Sequence, residues 1–199
     1  MRKIVAKYFY NVIDIIVFFK FKFSRFKEKN PPIIILTPGK VGSSSIYKTL
    51  KEQIGNPVFH SHVLNQDNIE SSFKKHRVQK WPIPFHLIVS KYLSKKIQKH
   101  NDRIYIITLV REPVSRMFSS YFQNIERYDN KEKSEEKAVE TIKKHTLDSV
   151  KYYDNWFEVE LKQNFDLDIY NIKNHDDKFW VFRNKKVNLL LMRMEDIDS

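Results

Sequence analysis

Cysteine is missing from all 199 residues. Its absence excludes disulfides, thiol nucleophiles, cysteine-ligated zinc and iron–sulfur clusters together. Glycine is nearly as scarce, with three residues in the chain against an ordinary usage of ~7%. Two of them, Gly39 and Gly42, fall in one short stretch, which marks a place where the backbone needs a conformation other residues resist. Long uncharged apolar runs are missing too. Residues 4–23 (IVAKYFYNVIDIIVFFKFKF) are greasy but carry Lys7, Asp14, Lys20 and Lys22, whereas a membrane-spanning helix needs ~20 predominantly apolar residues. No small-residue cleavage site follows, which argues against a secretory signal. Internal repeats and low-complexity tracts are likewise absent. Acidic charge is in deficit: 24 Asp and Glu face 36 Lys and Arg, a net charge of +12. Such a surface attracts polyanions, whether nucleic acid, anionic lipid, acidic glycan or a multiply phosphorylated cofactor.

What is present is the material of one soluble α/β domain. Hydrophobic residues make up 41% and aromatics 14%, enough for a core and too much for a disordered chain. Residues 1–30 hold eight Lys and Arg and two acids, so this piece carries half of the net charge. It reads either as a basic amphipathic helix lying on an anionic membrane surface or as an N-terminal helix packed on the domain with its lysines in water. Pro31-Pro32 ends it, and residues 31–199 form the α/β domain. Ile33–Leu36 is a short β-branched run of the kind that makes a buried parallel strand. Residues 37–45 read as a loop, 46–54 as a helix and 58–63 as a second strand. Helical spacing follows over 66–78 and 84–100. A third strand covers 103–110, and helices cover 113–128, 135–150 and 154–164. Two late strands fall at 179–183 and 187–192. Strand and helix in alternation imply a mostly parallel sheet.

Two loops carry chemistry. The first, Thr37-Pro38-Gly39-Lys40-Val41-Gly42-Ser43-Ser44-Ser45, lies between a strand and a helix, where free N–H groups and the helix dipole favour an anion. Gly39 and Gly42 allow close approach of the backbone, Lys40 brings positive charge, and Ser43, Ser44 and Ser45 offer helix caps and hydroxyls. Taken alone, it reads slightly better as a serine-rich helix cap after a strand. The order differs from the ATP and GTP loop G-x-x-x-x-G-K-[ST], because lysine here precedes the second glycine. No strand ends in an aspartate placed for Mg²⁺. In the second loop, strand 103–110 runs into Arg111-Glu112-Pro113, with Arg116 following and Ser119 eight residues after Arg111. A guanidinium and a hydroxyl so placed suit a second phosphate.

At these residues the chain resembles the sulfotransferases that use 3′-phosphoadenosine-5′-phosphosulfate (PAPS). Lys40-Val41-Gly42-Ser43-Ser44 is similar to the family's K-x-G-[ST]-[ST] loop, and Arg111-Glu112-Pro113…Arg116…Ser119 to its R-[DE]-P-x-x-R stretch with a later serine. The resemblance spans residues 33–128 and is nearest to the carbohydrate-modifying branch, including bacterial capsular-polysaccharide proteins. Asp154–Phe157, Asp168–Tyr170 and the late LLLMRME stretch (189–195) also look like that bacterial group. The resemblance implies a P-loop-like three-layer α/β/α fold. It implies transfer of a sulfuryl group from PAPS to a hydroxyl of a carbohydrate, with no metal. Lys40 would offset charge on the bridging oxygen, Gly42, Ser43, Ser44 and Ser45 would hold the 5′-phosphate, and Arg111 and Ser119 the 3′-phosphate.

The acceptor's proton needs a base. His60 and His62 stand two apart on the second strand and share a face, and histidine titrates near neutrality. His-x-His-Val is similar to a segment of glycan 2-O-sulfotransferases whose second histidine is the base, which favours His62 with His60 in support. Strand-end histidines satisfied by neighbours, or a metal pair, are the other readings. His86 reads as packing, and Trp81, Trp156 and Trp180 as core or interface. Glu158 and Glu160 read as a solvated helix face, and 91–99 as a solvated surface or part of a channel for an acidic glycan. Related proteins usually continue beyond the point matching Ser199, so the domain reads as a short or C-terminally truncated form. The expected partners are a carbohydrate acceptor and an anionic membrane surface, with no specific nucleic acid, and the expected location is the cytoplasm, peripheral on the inner membrane face. Two other functions compete: a P-loop nucleotide kinase or hydrolase, and a non-catalytic basic module binding membrane or polyanions.

Overall fold

The computed structural model of the chain describes residues 2–23, 26, 29–123, 136, 139–140, 142–143, 155–172 and 177–197. Five strands form one sheet in the order β2-β1-β3-β5-β4: β1 (Ile33–Leu36), β2 (Val58–Ser61), β3 (Ile104–Val110), β4 (Phe179–Arg183) and β5 (Val187–Arg193). All neighbours are parallel except the β4–β5 pair, which is antiparallel. β1 sits between β2 and β3, pairing Ile33 with Val58 on one side and with Tyr105 on the other. Ile34, Ile35 and Leu36 are fully buried, as a strand covered on both faces must be. β4 lies at the edge, and its burial alternates residue by residue.

Helices flank the sheet: α1 (Arg2–Phe23), α2 (Ser43–Gln53), α3 (Gln66–Val78), α4 (Phe85–Gln98) and α5 (Pro113–Gln123). A π-helical turn, Glu158–Gln163, lies within the helical stretch 155–165. The core joins strand residues Ile34, Leu36, Ile104, Ile106 and Leu189 to Leu93 and Ile97 of α4, Trp156, Leu161 and Phe165, and Val17 and Phe21 of α1. α1 is therefore docked on the domain by one face, tied to α4 by an Asp14–Lys91 ion pair at 3.0 Å.

The sheet has its switch point at β1 and β3. From β1 the chain moves outward to β2, then crosses back to β3 on the other side. In open α/β sheets the crevice at the carboxyl ends of two such strands is where ligands bind. The loops that leave these two strands are the two singled out by sequence. Three expectations need correction. α2 starts at Ser43, three residues before the apolar periodicity, because Gly42 in left-handed conformation (φ 74°) opens the helix there. β2 stops at Ser61, so His62 follows the strand instead of lying in it. The segment around Glu160 turns inward instead of presenting a solvated face. Of the expected helix over 135–150, residues 136, 139–140 and 142–143 are helical; the rest of it, and the end of 113–128, lie outside the described residues.

Candidate active site

The β1–α2 loop has an uncommon backbone. Lys40 and Gly42 both have φ 74°, and the buried Val41 anchors the loop between them. Left-handed residues alternating with ordinary ones turn successive N–H groups to one side and make an anion-binding concavity. For Lys40, which has a Cβ, this conformation costs on the order of 1 kcal/mol. At Gly42 a Cβ would stand 3.3 Å from Cε of Met194, so the site is tight as well as left-handed. Gly42 is also the N-cap of α2, and Ser43, Ser44 and Ser45 form the first helical turn. The serines therefore do not cap the helix, which has no side-chain cap, and its first N–H groups and dipole point at the loop.

The second loop arrives from β3. Nη1 of Arg111 lies 3.5 Å from the carbonyl oxygen of Lys40, and Nη1 of the buried Arg116 lies 3.4 Å from that of Gly39. The two arginines thus bind the two loops to each other. Glu112 caps α5 by accepting from the backbone N–H of Val114 (2.8 Å) and Ser115 (2.6 Å), and these bonds hold its carboxyl below the ordinary range. Glu195 in turn accepts the N–H of Glu112 at 2.9 Å.

Between the loops lies a cleft of about 630 Å³ whose walls include Lys40, Gly42, Ser43, Ser44, His62 and His86, with Arg111 and Ser119. The lysine and arginine that stand 71 residues apart in sequence share one cavity. Burial lowers the Lys40 ammonium from its usual value. Ser45 is exposed and is not among the residues lining the cleft, and His60 reaches the cleft through Ser43, whose Oγ stands 2.9 Å from His60 Nε2.

His62 Nδ1 is 2.8 Å from the carbonyl oxygen of Thr37. A carbonyl can only accept, so Nδ1 bears the proton and Nε2 keeps its lone pair. Burial, and the charge of Lys40, push the His62 imidazole below its ordinary pKa, against the pull of the Thr37 bond. His60 and His86 flank it with ring centroids 4.9 Å away on each side. Both are lowered to about 4, first by burial and then by repulsion within the cluster. Near neutral pH the trio is uncharged, and His62 is equipped to accept a proton. Among the described residues no group of histidines and acids is arranged to hold a metal ion.

Three residues of this site were not legible as functional. His86 is the second residue of α4, and the apolar residues around it suggested packing alone; it packs, but against His62 and at the wall of the cleft. Trp156 and Glu160 act on the loop that carries His62. The Trp156 indole N–H donates to the His62 carbonyl at 2.7 Å. Glu160, fully buried, accepts from the N–H of Leu64 (2.6 Å) and Asn65 (2.8 Å) and from Nδ2 of Asn68 (2.7 Å). Burial raises its carboxyl pKa and these three donors pull it back. Such carboxylates have no local signature, because every donor lies more than 90 residues away.

No curated protein and no solved structure matches the chain. One family model does, that of the NKWYS family, described as "Putative capsular polysaccharide synthesis protein", over residues 135–199. The matched segment holds Trp156, Glu160 and Met194, the residues that brace the His62 loop and close against Gly42, and it supports a place among capsule-related proteins.

Proposed function

We propose that this chain is a sulfotransferase that moves a sulfuryl group from PAPS to a carbohydrate hydroxyl. The observation that carries the reading is the convergence of Lys40, Ser43, Ser44, Arg111 and Ser119 on one cleft with a neutral histidine at its wall. The residues fit such a donor chemically. A left-handed, glycine-opened loop at a helix N-terminus suits a 5′-phosphate, and an arginine paired with a hydroxyl suits a 3′-phosphate. The capsular family matched over 135–199 favours a glycan as acceptor. A P-loop-like three-layer arrangement belongs to the same proposal: right-handed crossovers from β1 to β2 and from β2 back to β3 would place α2 and the α3–α4 pair on opposite faces of the sheet.

In the reaction, the acceptor oxygen attacks sulfur, the bond from sulfur to the bridging oxygen of the 5′-phosphate breaks, and the acceptor proton passes to Nε2 of His62. The products are a sulfate ester and 3′,5′-adenosine bisphosphate. Lys40 and the α2 N-terminus face the oxygen where negative charge grows, a role that draws its strength from being preorganised. Trp156 and Glu160 hold the His62 loop, so the base is placed before the acceptor arrives.

Calorimetric titration with 3′,5′-adenosine bisphosphate tests the donor site, with ATP as comparison. We expect metal-independent binding of the bisphosphate, weakened by roughly 10- to 100-fold in Arg111→Ala and in Lys40→Ala, as loss of a charge-assisted phosphate contact implies. Binding of ATP that requires Mg²⁺, with none of the bisphosphate, would overturn the reading in favour of a nucleotide kinase or hydrolase.

A further inference from the structure

Among its described residues, α1 holds the domain by one face. Val17 and Phe21 are buried against the core, Ile13 packs beside them, and Lys96 Nζ donates to the Phe21 carbonyl at 2.7 Å. On the opposite face, Val12, Ile15, Ile16 and Phe19 are 54%, 55%, 60% and 47% exposed. Their spacing of three, four and seven residues puts them on one line along the helix. At about 100° per residue, Lys20 and Lys22 fall about 80° to either side of that line, and both are exposed. In the sequence the same spacing runs back through Tyr8 and Val5, and the eight basic residues of 1–30 outnumber its two acids. No helix among the described residues is long and apolar enough to cross a membrane.

A stripe of large apolar side chains bordered on both sides by lysine is the cross-section of a helix lying in the interface plane of an anionic bilayer. A soluble surface does not ordinarily present four adjacent large apolar residues on a single helix face. We propose that the outer face of α1 docks this protein on an anionic phospholipid surface, with Val12, Ile15, Ile16 and Phe19 entering the acyl boundary and Lys20 and Lys22 meeting headgroup phosphates. Charge decides the choice of occupant. A second copy of the chain would bring another set of lysines against the first, whereas an anionic surface gains about a fivefold affinity increment per lysine near it. The inner face remains engaged with α4 throughout, so docking requires no opening of the domain.

The test is co-sedimentation of the full chain with vesicles of phosphatidylglycerol and phosphatidylcholine, against vesicles of phosphatidylcholine alone. We expect binding to the mixed vesicles, weakening as salt is added, and little to the neutral ones. Ile15→Glu with Ile16→Glu should remove it by 100-fold or more on the scale of burying two large apolar side chains. Lys20→Gln with Lys22→Gln should weaken it about 25-fold. Because both pairs are exposed, thermal unfolding of these variants should match the parent, which separates lost docking from lost folding. Equal binding by the Ile15/Ile16 variant would overturn the proposal. So would a dimer, seen by analytical ultracentrifugation, that the same variant dissociates while vesicles never bind. Neither readout depends on the chemistry of the cleft.

Discussion

The Thr37 carbonyl decides what His62 can do. By accepting the Nδ1–H hydrogen bond it keeps the proton on Nδ1 and leaves Nε2 as the basic nitrogen, and burial keeps the ring uncharged at neutral pH. Under the sulfotransferase reading, His62→Gln should lower kcat by 10²- to 10⁴-fold, the ordinary worth of a general base, while the affinity for 3′,5′-adenosine bisphosphate stays within a few-fold of the parent. Steady-state rates and calorimetry on the same preparation separate the two. The cluster also sets a pH dependence of stability. His60 and His86 have folded pKa values of about 4, below the ~6.5 of an unfolded histidine. As pH falls, the unfolded chain takes up protons the folded one refuses, so stability is full above about 6.5 and declines between there and about 4. Urea midpoints should fall across that window, and His86→Gln should flatten the decline. A midpoint indifferent to pH there would contradict the buried neutral cluster.

Elements explain why these residues meet. The strands and the two phosphate loops were readable because their signals are local: Ile33–Leu36 is a β-branched run, Gly39 and Gly42 concentrate most of the chain's glycine, and Arg111 stands one residue past an apolar strand. The inward turn of Glu160 and the approach of His86 to His62 depend on how α4 and the 155–165 stretch pack on the β2–α3 loop, and no pattern within either segment encodes that. Ser43 was misassigned for a related reason. Apolar spacing reports where a helix touches the core, not where its backbone starts, and the left-handed Gly42 sets the start. Two outcomes follow for these elements. Glu160→Leu leaves three donors without an acceptor, two in the β2–α3 loop and one on Asn68 of α3, each worth about 1–3 kcal/mol. We expect a loss of at least ~3 kcal/mol in urea unfolding. Gly42→Ala should cost about 1–2 kcal/mol from its left-handed conformation, more if Met194 cannot shift, and should weaken bisphosphate binding measured by calorimetry.

At the scale of the whole molecule, charge and topology each have a consequence. A net charge of +12 surrounds a cleft walled by Lys40 and Arg111, which should steer a multiply charged donor into it. Raising salt from about 0.1 to 1 M shortens the screening length from ~10 to ~3 Å, and the association rate of the bisphosphate in stopped flow should drop about tenfold or more. An unchanged rate would mean that the local contacts alone govern capture. The order of the sheet bears on how the protein comes to exist. β5, the last strand in the described sequence, lies between β3 and β4 and pairs with β3 along seven residues. On the ribosome, then, β1, β2 and β3 emerge early but β3 waits with one side unpaired through more than seventy further residues. That open strand edge is a template for wrong partners, and the pairing that closes it is distant in sequence and therefore slow. Yield in the cell would then be governed by how well this waiting edge is shielded during synthesis, and holdase chaperones or slowed translation should raise the soluble fraction more than any substitution in the cleft.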